Sequence, residues 1–449
     1  MIFSVNKNLS RHILRIAVPA IAGLSSQMIV AIVNTAMVGR LENTHVQLAA
    51  MGLGFLATMA ITSFFSSLST GTHVLIARRQ GESNSRGVGE VLNNSLFICL
   101  IVGSIFGTLG YIFSYDIINF FSANDAVTFA GTDYMRYQFV GLPFFLLIVS
   151  YRGFFFGIGH TKIFMISAIL INLFNIFFNY LFMFGALGFP KLELAGAGIG
   201  YSVSMVLGWL FFLSVTFIGY YRKQYQYYSH FNISKEVITQ IIKISLPVSL
   251  QNILILMGFL VFVAIIGIIG TIEQAASNVV ISALFISIMP CLGFGIAAQT
   301  LVGQSIGKGS AHLASAYGYE TAKLGTLFTL IVGALFVFFP ETVLLVITNE
   351  TAVINAARPI LQIAGVAQIF YGSGIIFASA LQAGGATVYV MFVEVLTHWI
   401  IFLPLTYLFG VTFHGGLKGA WFALPIYVVA YTMMNMMRFR SVNWLKINL

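Results

Sequence analysis

Two side chains that can carry a proton, Glu394 and His398, lie inside the eleventh long apolar stretch of this 449-residue chain. They are four residues apart, so on a regular α-helix they lie one above the other on one face. A carboxylate and an imidazole placed in this way can share or relay a proton. The alternative is an ion pair near the cytoplasmic end of the helix, because Glu394 is only about six residues, roughly 9 Å, inside it.

Asparagines form a second polar group in the apolar stretches. Asn172, Asn175 and Asn179 are spaced three and four apart, which places them on one face of the fifth helix. Asn34 lies in the first helix. The simplest interpretation is hydrogen bonding that joins the helices of one lobe. Four amides on two helices also favour a second interpretation, in which they line a substrate or ion cavity.

Three more polar residues stand out within apolar stretches. Gln251 follows Pro247 by one helical turn and is either a binding residue or a partner for backbone groups that the proline frees. Tyr371 is a further binding candidate in the tenth helix. Arg152 is near a predicted cytoplasmic helix end, so we expect its side chain to extend toward water.

No motif for enzyme chemistry accompanies these residues. The chain has no HExxH, P-loop or GxSxG, no Asp-rich motif for prenyl or glycosyl transfer, and no paired carboxylates. A membrane transferase would need an acid pair or a metal site. We therefore predict a protein that is not an enzyme, with no catalytic residues, no metal site and no cofactor.

The composition requires a membrane. Hydrophobic residues make up 59% of the chain and charged residues only 8%, against about 25% charged residues in soluble domains. Each apolar stretch is long enough for the roughly 20 residues that cross a bilayer. The predicted spans are 12–38, 47–76, 90–114, 128–157, 161–186, 194–220, 239–268, 274–303, 315–345, 353–382, 388–411 and 416–437.

The net charge of +9 is explained by membrane orientation. With both termini in the cytoplasm, most of the 22 Lys and Arg residues fall on cytoplasmic ends and loops. The outer side retains Arg40, Arg136, Lys191, Arg358 and Lys418. This bias follows the positive-inside rule, so we predict no nucleic-acid partner and a multi-pass protein of a bacterial cytoplasmic (inner) membrane.

The chain also repeats itself. Pro19 matches Pro247, and the Gly-His-Thr at 159–161 matches the Gly-Ala-Thr at 385–387, at offsets of 223 to 228 over the whole half. Such repeats are common in transporters, with the substrate site at the repeat interface. The prediction is an all-α membrane fold of twelve transmembrane helices in two pseudo-symmetric six-helix lobes, 1–222 and 237–449, joined by a cytoplasmic linker at 223–236.

Several segments resemble one family over nearly the whole chain. They are residues 33–39 (VNTAMVG), 77–81 (ARRQG), 152–162 (RGFFFGIGHTK), 290–304 (PCLGFGIAAQTLVGQ) and 305–309 (SIGKG). On these residues the chain resembles the multidrug and toxic compound extrusion (MATE) family of the MOP superfamily, and is closer to its DNA-damage-inducible branch. The resemblance implies cation-coupled export of amphipathic, often cationic compounds by alternating access.

This sequence departs from the family at the acids inside the membrane. The family pattern has Asp at position 34, and relatives can have Asp at 179; both are Asn here. Ile255 replaces a frequent Glu, and Tyr371 replaces the acid of a Gln-x-x-Asp motif. Coupling therefore either moves to Glu394 with His398, or uses neutral oxygens that hold a cation.

These observations predict an ion-gradient-driven antiporter for lipophilic drugs or toxic compounds, with H⁺ or Na⁺ as the coupling ion. Its expected partners are a small-molecule substrate and the lipid bilayer, and we expect a monomer. The alternative is a flippase for a lipid-linked precursor in the same superfamily. The neutral cavity favours the flippase, whereas twelve rather than fourteen helices and the absence of a basic cavity for a diphosphate weigh against it.

Overall fold

The computed structural model describes residues 6–227 and 232–446 and is α-helical throughout these ranges. They contain twelve helical spans long and apolar enough to cross a membrane, which confirms the predicted fold class. The α-helices are α1 (Lys7–Val38), α2 (Thr44–Ser66), α3 (Leu68–Gly81), α4 (Ser85–Phe121), α5 (Asp125–Gly157), α6 (Thr161–Phe184), α7 (Glu193–Phe217), α8 (Gly219–Tyr225), α9 (Lys235–Ile269), α10 (Thr271–Gly307), α11 (Ala311–Phe338), α12 (Pro340–Leu345), α13 (Thr351–Ala383), α14 (Thr387–Val395), α15 (Leu403–Tyr407) and α16 (Gly416–Arg440).

Two of the spans are interrupted. The second consists of α2 and α3, which meet at Ser67. The eleventh consists of α14 and α15 with π-helical segments at Leu396–Phe402 and Leu408–Thr412. Such π turns are rare and occur frequently at functional sites.

The outer surface is strongly apolar. Large side chains such as Ile32, Phe120 and Ile400 are more than half exposed along the spans. Contiguous exposed apolar surface of this kind is unusual in soluble proteins and is what lipid tails cover. The chain is a multi-pass membrane protein.

The turns repeat along with the sequence. Gly159 and Gly385, at an offset of 226, both end a helix with positive φ, 79° and 85°. The next pair at this offset is Ser83 and Gly309, with φ of 58° and 70°. Positive φ suits glycine and is uncommon for other residues. The positive φ of Ser83 therefore indicates that both repeats keep the same turn conformation although their residues differ at this position.

The chain forms two compact units, each described here by itself. The N unit is Ala22–Ser249, and the C unit comprises the residues up to Ile21 together with those from Leu250 onward. Both boundaries fall two residues after a helix-interior proline, Pro19 in α1 and Pro247 in α9. The lobe boundaries at 222 and 237 stay a prediction about the repeats, because the compact units divide α1 and α9 within their lengths.

The first turns of α1 are tied into the C unit by a buried carboxylate. Glu320 of α11 accepts hydrogen bonds from the Asn6 amide at 2.6 Å and the Ser10 hydroxyl at 3.0 Å. Lys323 lies 3.4 Å from the same side chain. A carboxylate at a helix N-terminus is favoured by the helix dipole, so this contact anchors the start of the first span.

Part of the predicted linker is packed rather than interfacial. Tyr225 and Tyr227 are buried, and both rings pack edge-on against Phe154. The Tyr227 hydroxyl donates to the Thr216 carbonyl at 2.5 Å. Residues 228–231 of the predicted linker lie outside the described residues.

Candidate functional site

The predicted asparagine face forms a closed amide cluster in the N unit. The Asn34 amide donates to the Asn175 side-chain oxygen at 2.9 Å, and Asn179 donates to the side-chain oxygens of Asn34 at 3.0 Å and Asn175 at 3.2 Å. Asn175 and Asn179 are buried, whereas Asn34 is partly exposed. The structure thus brings together three of the predicted side chains from α1 and α6.

The Asn179 amide has two ways to bond. When it is rotated by half a turn, its nitrogen faces the backbone carbonyls of Asn175 at 3.2 Å and Ala197 at 3.3 Å. Gly200 of α7 lies against this side chain, where any Cβ would overlap the amide oxygen. The absence of a side chain at Gly200 therefore makes room for the cluster.

Asn172 lies on the same helix but bonds elsewhere. Its amide donates to the Ser26 hydroxyl at 2.8 Å, and Ser26 in turn donates to the Gly23 carbonyl at 2.7 Å. All four asparagines therefore join α6 to α1, which agrees with the helix-joining interpretation. The amides also supply donors and acceptors without any proton to exchange, so this cluster can bind a polar group or a cation but cannot titrate.

The predicted residues of the second half gather around Glu394 in the C unit. Glu394 is buried, and the Tyr427 hydroxyl donates to its carboxylate at 2.6 Å. Tyr431 and Gln251 also lie close enough to interact with its side chain. The carboxylate is enclosed by side chains of α9 and α16, so Glu394 does not lie at a water-exposed end of its helix.

Glu394 lacks a basic partner. Among the described residues two carboxylates are buried, Glu320 and Glu394. Glu320 has Lys323 beside it, whereas no ion pair reaches Glu394 within the described ranges. A buried carboxylate without a counter-charge is expensive, and such groups in membrane spans mark ion or proton pathways.

His398 does not pair with Glu394, contrary to the expected shared proton or ion pair. Neither ring nitrogen of this buried imidazole has a hydrogen-bond partner. His398 lies within the π segment at Leu396–Phe402, and the Tyr427 hydroxyl rather than the imidazole contacts the Glu394 carboxylate. His398 instead packs its ring against Tyr427 and lies beside Gly258, where a Cβ would overlap the ring.

Gln251 and Tyr371 belong to this C-unit group rather than to the amide cluster. Gln251 of α9 lies close enough to Glu394 to interact with it. Tyr371 lies close enough to Glu394 to interact with it electrostatically. Gln251 on α9 and Tyr371 on α13 therefore both lie near the carboxylate of Glu394 on α14.

Sequence reasoning missed the two tyrosines of α16. Tyr427 and Tyr431 are four residues apart, which is the spacing that places two hydroxyls on one helix face. They were absent from the predicted site because tyrosine is common in membrane helices and their partner is on another span. The i, i+4 pair was the available signal.

The direction of the Arg152 side chain also differs from the prediction that it extends toward water. Its guanidinium donates to the Ser69 hydroxyl at 3.3 Å and the Ser66 carbonyl at 3.4 Å. Both acceptors lie beside Ser67, where α2 ends and α3 begins, and far from the end of α3 at Gly81. The side chain therefore points into the N unit and does not extend to the C-terminal end of α5, because side chains on a helix lean toward its N-terminus.

Metal-binding side chains do not cluster in the part of the chain that the structure describes. No group of three His, Cys, Asp or Glu residues there could hold a metal ion. The polar atoms available to a cation are the amide oxygens around Asn34 and the carboxylate and hydroxyl oxygens around Glu394.

Comparison with known proteins identifies the family. The sequence model of the MatE family matches residues 19–181 and again residues 247–408. The chain belongs to the MatE family. The two matched segments begin at Pro19 and Pro247, so both halves of the duplication carry the family pattern.

Relatives of this MatE protein, and solved structures of other proteins that resemble it, are consistent with this assignment. A probable multidrug resistance protein NorM from Thermotoga maritima is 24% identical, covering 97% of this chain and 93% of the relative. A MOP superfamily transporter from Pyrococcus furiosus, described as having reverse polarity of its binding pocket, aligns with a TM-score of 0.89 at 21% identity, over 99% of this chain and all of that one. An outward-facing multidrug resistance MATE family transporter gives the same TM-score and coverage at 21% identity. The structural likeness establishes the fold.

Proposed function

We propose that this MatE protein exports lipophilic organic molecules across the cytoplasmic membrane by alternating access, driven by an ion gradient. Membership of the family and the multidrug resistance names of its relatives support export. The duplicated architecture supports alternating access, because transporters with repeated lobes move one repeat against the other around a fixed site. In this proposal both termini are cytoplasmic.

Glu394 is the proposed coupling residue, and its environment is the observation that supports this role. The carboxylate is buried, receives a hydrogen bond from the neutral Tyr427 hydroxyl and has no basic partner among the described residues. A carboxylate of this kind can carry a proton or a cation. The amide cluster around Asn34 has no such proton, so the N unit contributes substrate or ion contacts while the C unit carries the exchangeable charge.

The test is transport by the purified protein in sealed lipid vesicles with imposed gradients. A lipophilic dye such as ethidium is loaded, and its movement is followed under a pH gradient, a sodium gradient or neither. We expect the pH gradient to drive dye movement. Equal transport under sodium alone, with no response to pH, would remove Glu394 as a proton carrier and point to a cation at neutral oxygens.

Cell assays separate export from the flippase alternative. Expression in a strain without its own pumps should raise tolerance to ethidium-like dyes. Unchanged tolerance to every dye, together with a cell-envelope defect when the gene is deleted from its host, would favour the flippase of a lipid-linked precursor.

A further inference from the structure

Arg152 lies deep within its helix bundle. The glycines that follow it on α5 pack against α3: Gly153 faces Ser69 and Thr72, and Gly157 faces Ile76 and Ala77. Gly157 is thus level with Ile76, and α3 continues to Gly81. At 1.5 Å per residue, the Arg152 backbone is roughly 15 Å above the end of α3, and its side chain extends still further from that end.

The guanidinium has hydrogen-bonding capacity to spare. Arginine has five N–H donors, and the two bonds of Arg152, to Ser69 and Ser66, are 3.3 and 3.4 Å long. Both exceed the usual 2.7–3.2 Å range for N–H···O bonds. The residue is only partly buried, so a ligand can approach it.

The surroundings of Arg152 are polar but uncharged. No carboxylate of the described residues forms an ion pair with it, and the buried acids Glu320 and Glu394 belong to the C unit. Its neighbours include hydroxyls that bond to one another: Thr72 with Ser95 at 2.6 Å, and Ser150 with Ser95 at 2.7 Å. The interior of the N unit therefore carries a positive charge without a compensating negative one.

We propose that Arg152 selects exported molecules that carry a carboxylate. This rests on the proposed export function and specifies its preferred substrate class: lipophilic acids or zwitterions, which should bind more tightly than permanent cations such as ethidium. A guanidinium matches a carboxylate with two parallel hydrogen bonds. One arginine balances one negative charge, which favours a carboxylate over a diphosphate.

The discriminating probes are a xanthylium dye with a free benzoate and the methyl ester of the same dye. Equilibrium binding to the purified protein is measured by fluorescence polarisation. Wild-type protein should bind the acid more tightly than the ester. Arg152→Gln should weaken binding of the acid by about tenfold or more, the value of one charged hydrogen bond, and should leave the ester within about twofold.

Two further variants separate recognition from structural damage. Arg152→Lys keeps the charge without the planar fork and should retain part of the preference for the acid. Arg136→Gln removes a half-exposed arginine from the outer end of the same helix and should not change the ratio. If Arg152→Gln weakened the binding of both dyes equally, Arg152 would have only a structural role through its bond to the Ser66 carbonyl, and the proposal would be overturned. A wild-type protein that binds the ester as well as the acid, or neither dye, would also overturn it.

Transport of the same dyes in vesicles separates this inference from the proposed function. Gradient-driven efflux of both dyes without preference would contradict the role of Arg152 and leave export standing. Preferential binding of the acid with no gradient-driven movement would contradict ion-driven export and leave the selectivity of Arg152 standing.

Discussion

The two repeats carry the charges inside their helix bundles at different places on the same scaffold. At the offset of 226 set by Gly159 and Gly385, Arg152 corresponds to Ala378 and Glu394 corresponds to Ala168. Both alanines are buried. The first half therefore has a guanidinium where the second half has a methyl group. The second half has a carboxylate where the first half has a methyl group.

This difference shows what duplication preserves. Turn geometry at Gly159 and Gly385 is the same in both halves, since a changed turn would misdirect every following helix. Side chains that face a cavity are free to diverge, because one group can change there without moving the backbone. Asn172, which bonds to Ser26, corresponds to His398, which bonds to nothing among the described residues.

The backbone around the carboxylate also differs between the repeats. Its counterpart α6 is a regular helix, whereas the span with Glu394 has a π segment that ends just before Pro404. Proline lacks an N–H and crowds the preceding turn, so regular α-helical bonding cannot continue through it. The Trp399 indole donates to the Leu254 carbonyl at 3.1 Å and fastens the widened turn to α9.

The largest expected effect follows from removing the C-unit charge. Glu394→Gln keeps the shape and the Tyr427 contact but cannot release a proton, so pH-driven dye movement should fall to the level without a gradient. Dye binding should remain. The matched control is Glu350→Gln, an exposed acid of the C unit, which should transport normally. Full pH-driven transport by Glu394→Gln would show that the carboxylate is structural.

A smaller effect is expected in the N unit. Asn34→Ala removes one hydrogen-bond partner from each of Asn175 and Asn179 and costs about 1–3 kcal/mol at a buried site. Dye binding should weaken, and the pH profile of transport should keep its shape because no titrating group is lost. Asn34→Asp introduces a carboxylate and should add a new pH dependence. Transport rates across a pH series measure both effects. If the wild-type protein shows a titration that Asn34→Ala abolishes, the proposal that only the C unit carries the exchangeable charge would be contradicted.

The smallest effect concerns an exposed ion pair of the N unit. The Lys191 ammonium lies 2.5 Å from the Glu42 carboxylate and holds the pKa of Glu42 below its usual range, while Glu42 raises the pKa of Lys191. Stabilisation from Glu42 is present above the ordinary Glu pKa and lost as pH falls through the lowered one. Stabilisation from Lys191 is present below the ordinary Lys pKa and lost as pH rises through the raised one.

Lys191→Met should therefore lower the melting temperature only slightly at neutral pH, and less at high salt, because exposed pairs are screened. Melting curves at pH 7 and well below the carboxyl pKa check this. A loss as large as that of Asn34→Ala, or one independent of salt, would contradict the assignment of this pair to a solvated surface.

Span length and residue spacing within single helices predicted much of the fold and part of the candidate site from the sequence. Apolar length predicted the twelve spans with bounds within about seven residues of the helix ends, because bilayer thickness sets that length. Spacing placed Asn175 and Asn179 on one face, and the structure joins them to Asn34. Spacing also placed His398 beside Glu394, but the Tyr427 hydroxyl from another helix contacts the carboxylate instead.

The sequence by itself determined that the chain is a duplicated, twelve-span membrane protein with few polar groups inside, because hydropathy and repeat offset are properties of the chain alone. Only the tertiary structure decided which polar groups meet. Tyr427 reaches Glu394 from another helix, and Arg152 turns inward to the break at Ser67. Contacts between distant segments depend on how helices pack, and the spacing within one helix does not encode them.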